Sequence, residues 1–122
     1  MPIHKILLVD DSKTELHHLS ELLVRAGYSV RTAEDGDAAL RQLDEDTPDL
    51  ILMDVVMPGL NGFQLTRRIT RDPRFAQVPV IICTSKNQET DKVWGMRQGA
   101  RDYVVKPVHG PELIAKIRAF DA

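Results

Sequence analysis

Leu50-Ile51-Leu52-Met53-Asp54 is a run of four apolar residues closed by one acid. No polar residue alternates within it. That is the pattern of a strand buried on both faces, as in a parallel sheet covered by helices on either side. The same phrase comes earlier as Ile6-Leu7-Leu8-Val9, followed by Asp10-Asp11. It comes later as Val78 to Cys83, followed by Thr84-Ser85, and again as Asp102 to Val105, followed by Lys106-Pro107. Tyr28 to Ala33 reads as one more strand, which makes five.

Between the strands the periodicity changes to that of helices. From Ser12 to Ala26, Leu16, Leu19, Leu22 and Leu23 share one face, Ser12 with Glu15 has the form of a capping box, and Gly27 is a stop. Asp35-Gly36-Asp37 opens a second helix with Ala38, Ala39, Leu40 and Leu43 as its apolar side, ended by Thr47-Pro48. The turn-rich Pro58-Gly59-Leu60-Asn61-Gly62 leads to a third, from about Phe63 to Thr70. A fourth runs from about Gln88 to Gln98. Pro111 fits the first turn of a fifth that buries Leu113, Ile114 and Ile117 and ends near Phe120. Strands alternating with helices imply an α/β fold, a three-layer sandwich with parallel strands and right-handed crossovers.

The chain has 122 residues, enough for one domain, and residues 1–122 are expected to form a single unit with no output domain. Hydrophobic residues make up 43% and charged residues 28%, a globular rather than a disordered balance. The net charge of -2 argues against nucleic acid or an anionic membrane surface as partner. Cys83 is the one cysteine, so no intrachain disulfide can form, which suits a reducing compartment. The N-terminal apolar run is too short for a signal sequence or a membrane span, and a cytoplasmic location is expected.

The polar residues that follow the strands carry the chemistry. In a parallel sheet Asp10, Asp11, Asp54, Thr84, Ser85 and Lys106 all arrive at one edge, where open α/β sheets bind their ligands. Three carboxylates together repel one another and call for a cation. Mg²⁺, a hard ion that prefers oxygen and keeps several waters, answers that need, and Mn²⁺ would also fit. A nucleophilic carboxylate, a metal, an ammonium and a hydroxyl make a site for phosphoryl transfer.

The four islands Asp10-Asp11, Leu52 to Gly59 around Asp54, Thr84-Ser85 and Lys106-Pro107 resemble the response-regulator receiver (CheY-like) family over essentially the whole chain. The resemblance implies a flavodoxin-like (βα)5 sandwich with strand order 2-1-3-4-5. It implies Asp54 as phosphoacceptor from a sensor histidine kinase. Asp11 and Asp54 would be direct metal ligands, Asp10 a ligand through water, and the Val56 carbonyl a further ligand. Thr84 would bind a phosphoryl oxygen, and Lys106 would pair with the phosphate after a cis peptide to Pro107. Output would run through the face formed by helix four, strand five and helix five. Such a receiver catalyses only its own phosphorylation and dephosphorylation, so it is not classed as an enzyme. The stretches Gly59 to Gln64 and Gln88 to Tyr103 are similar, more narrowly, to stand-alone receivers of type IV pilus twitching-motility systems (PilH type). They imply a motility or chemotaxis-like pathway, an unidentified protein output partner, and a monomer or weak dimer.

Other residues have plainer readings. Tyr103 is either the family's switching aromatic or a half-buried strand residue. Cys83 is a small core residue, and Trp94 is expected to pack in the core rather than anchor a partner. His4, His17, His18 and His109 have no metal spacing and are expected to face solvent, and Arg67, Arg68 and Arg71 to form a solvated face. Val56 cannot hydrogen-bond an attacking water, and Lys86 replaces an acid or amide found in some relatives, so a long-lived aspartyl phosphate is expected. A phosphatase with an aspartyl nucleophile fits poorly, because its second acid should stand two residues on, where Ser12 stands after Asp10-Asp11. An unphosphorylated adapter is disfavoured by a complete site. A flavin site lacks a phosphate-cradling loop after the first strand.

Overall fold

The computed structural model of the chain describes residues 2–55, 61–84 and 89–121, and the side chains of all of these except 89–91. Five strands alternate with five helices: β1 (Lys5–Val9), α1 (Lys13–Arg25), β2 (Ser29–Ala33), α2 (Gly36–Glu45), β3 (Leu50–Asp54), α3 (Gly62–Arg71), β4 (Val80–Thr84), α4 (Glu89–Arg97), β5 (Asp102–Val105) and α5 (Gly110–Arg118). The sheet has the order β2-β1-β3-β4-β5, and every pairing is parallel. The expected fold class and strand order are both observed. Element ends agree with the sequence reading to within about two residues where they are described, a normal uncertainty for helix and strand ends. The expected start of the fourth helix at Gln88 lies outside the described residues.

Side-chain alternation along the strands builds two cores. Leu7, Val9, Ile51, Met53, Val80 and Ile82 point to one face, where Leu43, Leu65 and Ile69 meet them. Ile6, Leu8, Leu50, Leu52, Ile81 and Cys83 point to the other, under Leu19 and Leu23 of α1 and Leu113 and Ile117 of α5. Each fully buried leucine or isoleucine contributes roughly 1.5–3 kcal/mol. β2 departs from the doubly buried pattern because it is an edge strand, with Ser29 and Thr32 exposed.

Caps set the helix starts. Ser12 Oγ accepts from the Glu15 amide at 3.3 Å, as the sequence suggests. The reciprocal capping box forms elsewhere, at Asn61 and Gln64: the Asn61 side chain accepts from the Gln64 amide at 2.9 Å, and the Gln64 side chain from the Asn61 amide at 3.1 Å. Gly27 and Gly99 hold φ values of 102° and 108°, left-handed turns where a side chain is strained. Gly62 needs glycine for another reason. A Cβ there would stand 2.0 Å from the Asp54 carbonyl oxygen. Its amide donates to the Val55 carbonyl at 2.9 Å, so α3 begins directly against the end of β3.

This close approach can be tested. Gly62→Ala is expected to lower the unfolding free energy by about 1–3 kcal/mol through forced displacement of backbone. Gly27→Ala, where a Cβ would meet nothing within 4 Å, should show only the milder strain of its dihedral angle. Urea unfolding midpoints of the two variants measure the difference.

Candidate functional site

The register between β1 and β3 sets Val9 beside Met53, so the next residues, Asp10 and Asp54, leave adjacent strands side by side. Asp10 is 2% exposed and Asp54 7%. Asp10 Oδ1 accepts from the Ser12 amide at 2.9 Å, which turns the chain into α1 and aims the other oxygen inward. Asp11, the next residue, is exposed. Asp10, Asp11 and Asp54 each offer a carboxylate oxygen, and these atoms all lie within 4.8 Å of one another.

Lys106 follows β5 and is carried in by its backbone, whose amide donates to the Thr84 carbonyl at 2.7 Å. The Lys106–Pro107 peptide is cis, as expected. Lys106 Nζ donates to Asp10 Oδ2 at 2.8 Å and to Asp54 Oδ1 at 3.2 Å. Its side chain is 16% exposed, so the ammonium is shielded from bulk water. Thr84 ends β4 and is buried beside this group of strand ends. Val56, Ser85 and Lys86 lie outside the described residues.

The charges act on one another. Burial, reinforced by the neighbouring Asp10 charge, pushes the Asp54 carboxyl above its ordinary range, against the pull of Lys106. For Lys106, burial alone would lower the pKa. The hydrogen bond to Asp10 and the charges of Asp54 and Asp10 outweigh it and hold the ammonium at about 12. Cys83 pairs with Asp54 in the register and lies buried in the α1/α5 core, where burial pushes its thiol up to about 12. It is an inert core residue, as the sequence suggests.

The donor set is oxygen only and carries an excess of negative charge. It fits a hard divalent cation and would suit a softer, thiolate-seeking metal poorly. The arrangement thus joins a cluster of acids, a fixed ammonium and a buried threonine at the carboxyl edge of a parallel sheet, where ligands of this fold class bind.

Other expectations fare unevenly. His4, His17, His18 and His109 are exposed, and so are Arg67, Arg68 and Arg71. Tyr103 is half-buried and packs against the core below α4, with Lys92 Nζ 4.7 Å and Lys116 Nζ 4.9 Å from its ring centroid. Trp94 corrects the sequence reading. It is 50% exposed, because Gly95 occupies the core-facing position of α4. Sequence reasoning did not single out Gly62 as part of the site. The signal was a glycine at the first helical position after Asn61, where a side chain is ordinarily tolerated.

Residues 6–118 match the response regulator receiver domain family, and the chain belongs to that family. It is 52% identical to protein PilH of Pseudomonas aeruginosa over 94% of this chain and 95% of that protein, which makes it a receiver of PilH type. It is 45% identical to the transcriptional regulatory protein AfsQ1 of Streptomyces coelicolor over 93% of its length, and there it spans about half, 49%, of the longer protein. Among solved structures, a response regulator from Chloroflexus aurantiacus superposes with a TM-score of 0.92 at 34% identity, covering 98% of this chain and 97% of that one. Chemotaxis protein CheY4 of Vibrio cholerae superposes with a TM-score of 0.90 at 31% identity, covering 96% and 98%. Among the described residues, no helix is long and apolar enough to cross a membrane.

The raised Asp54 pKa has a consequence for stability without metal. Its ionised form costs folding free energy; the cost is absent below the ordinary value of 3.8 and fully present above the raised one. In EDTA at pH 7, Asp54→Asn is therefore expected to be more stable than the wild type. The gain should vanish as the pH falls below that ordinary value. Thermal or urea unfolding across pH checks both the sign and the window.

Proposed function

We propose that this chain is a stand-alone phosphoacceptor of a two-component phosphorelay, working in the cytoplasm, with Asp54 taking a phosphoryl group from a sensor histidine kinase. The observation that carries the reading is the Lys106 ammonium set between Asp10 and Asp54 at 2.8 and 3.2 Å, beside a third carboxylate. Asp54 is the nucleophile. One of its oxygens attacks the phosphorus, the bond from phosphorus to the kinase imidazole nitrogen breaks, and the electron pair stays with the imidazole. The Lys106 ammonium balances the charge of the transferred oxygens, and the Thr84 hydroxyl donates to one of them. Both groups are held by the backbone of neighbouring strand ends, so little rearrangement is needed.

Asp10, Asp11 and Asp54, with the carbonyl of Val56, would hold Mg²⁺. When bound, the ion supplies positive charge that relieves the carboxylates and the phosphoryl oxygens. Signalling runs through the face formed by α4, β5 and α5. Support for that face comes from Val93 and Met96, exposed on α4, and from the half-buried Tyr103 of β5 beside them. The likeness to PilH, which extends over nearly all of that protein, supports a role in type IV pilus twitching motility with a separate protein as output.

The chain should gain one phosphoryl group when incubated with acetyl phosphate and Mg²⁺, read by intact mass. EDTA and Asp54→Ala should each abolish the adduct, and Lys106→Ala should slow its formation by on the order of 10²-fold. A folded protein that never gains the adduct under these conditions would overturn the reading.

The lifetime of the adduct makes a separate expectation. Val56 offers no hydrogen bond to an attacking water, so the aspartyl phosphate should decay slowly, and Val56→Asn should shorten it. Rapid decay that Val56→Asn leaves unchanged would count against this assignment.

A further inference from the structure

α4 carries three of the four large hydrophobic side chains exposed among the described residues: Val93 at 44%, Trp94 at 50% and Met96 at 44%. They do not share a face. Successive residues on a helix turn by about 100°, so Met96 and Trp94 stand on opposite flanks of Gly95. Gly95 marks the side toward the sheet, since a Cβ there would meet Ile82 at 3.3 Å and Phe63 at 3.4 Å. Lys92, Val93, Met96, Arg97 and Tyr103 line one groove, on the β5 side. Trp94 is absent from that groove and lies on the flank toward α3.

The α3 side of this furrow is basic. α3 contains Arg67, Arg68 and Arg71 and no acid, in a chain whose net charge is -2. Phe63 meets Gly95, and the Thr70 hydroxyl donates to the Gln98 carbonyl at 2.8 Å. Phe63 and Thr70 thus mark the flank of α3 that faces α4, and Arg67, four residues after one and three before the other, shares it. Arg71 follows one turn on. Arg67, Arg71 and Arg97 make no ion pair among the described residues, unlike Arg74, which is held by Asp44 and Asp72.

An exposed tryptophan beside unpaired arginines has the composition of an interface centre, where tryptophan and arginine are the residues most over-represented. We infer that the α3–α4 flank is a second docking surface, in which Trp94 and the arginines of α3 receive an acidic amphipathic segment of a partner protein. Its apolar side chains would cover the indole, and its carboxylates would pair with Arg67 and Arg71 as bidentate contacts. A partner seated on the β5 side of α4 leaves this flank open, so the two surfaces can be used independently. The inference does not rest on phosphorylation of Asp54.

Trp94 is the single tryptophan of the chain, so its emission reports on its own surroundings. The probe is a synthetic amphipathic helical peptide with a leucine face and glutamates elsewhere, titrated into the full chain. A blue shift that weakens as salt is raised is expected. A labelled copy of the peptide, followed by anisotropy, should lose affinity about tenfold with Trp94→Ala and with Arg67→Glu combined with Arg71→Glu. Met96→Glu, on the other flank, should leave it unchanged. A cooperative urea unfolding transition matching that of the wild type verifies that each variant is folded. Equal binding of a peptide with lysines in place of the glutamates would overturn the inference. So would stronger binding of an oligothymidylate, loss of binding in Met96→Glu alone, or no binding of the acidic peptide by the folded chain.

Discussion

The position of one ammonium makes the rest of the site possible. Asp10 and Asp54 are both buried and leave adjacent strands side by side. Two carboxylates so placed repel strongly in a medium that screens charge poorly. Lys106 Nζ, 2.8 Å from one and 3.2 Å from the other, is the counter-charge that the protein itself supplies. It comes from β5, two strands away from Asp54, and the parallel sheet brings both strand ends to one edge. Antiparallel pairing of β1 with β3 would send Asp10 and Asp54 to opposite edges. The parallel order thus serves the electrostatics of the site as well as covering both faces of the sheet.

That counter-charge is incomplete. Asp54 remains above its ordinary range despite Lys106, so burial and Asp10 together prevail over a single ammonium. A site held under this imbalance has a standing affinity for further positive charge, and its oxygen donors favour a hard ion. The two apolar cores on either side of the sheet, which include Leu52 and Met53 immediately before Asp54, are what hold the strand in place against the repulsion.

Much of this was legible in the sequence because burial on both faces removes all polar alternation from a strand. β1, β3 and β4 are continuous apolar runs, and each ends at the residue that matters: Asp10, Asp54 and Thr84. What could not be read depends on distances between segments far apart in the chain. Gly62 looks like one more turn glycine until the Asp54 carbonyl is seen to occupy the place of its side chain. Lys106 could be assigned to a phosphate by resemblance, but its bonds to Asp10 and Asp54 are a property of the folded edge.

The misreading of Trp94 is more instructive, because the contrary signal was present. A helix that packs through its apolar residues shows them at spacings of three and four. Val93 and Met96 stand three apart, but Trp94 falls off their face, and the residue among them that meets the sheet is a glycine. α4 can therefore lie close to β4 while leaving about half of each of Val93, Trp94 and Met96 exposed. Among the described residues its attachments include the Thr70 hydroxyl with the Gln98 carbonyl and Lys92 against the Tyr103 ring. The composition that makes α4 poor core material makes it good recognition material, because its large side chains are left on the outside.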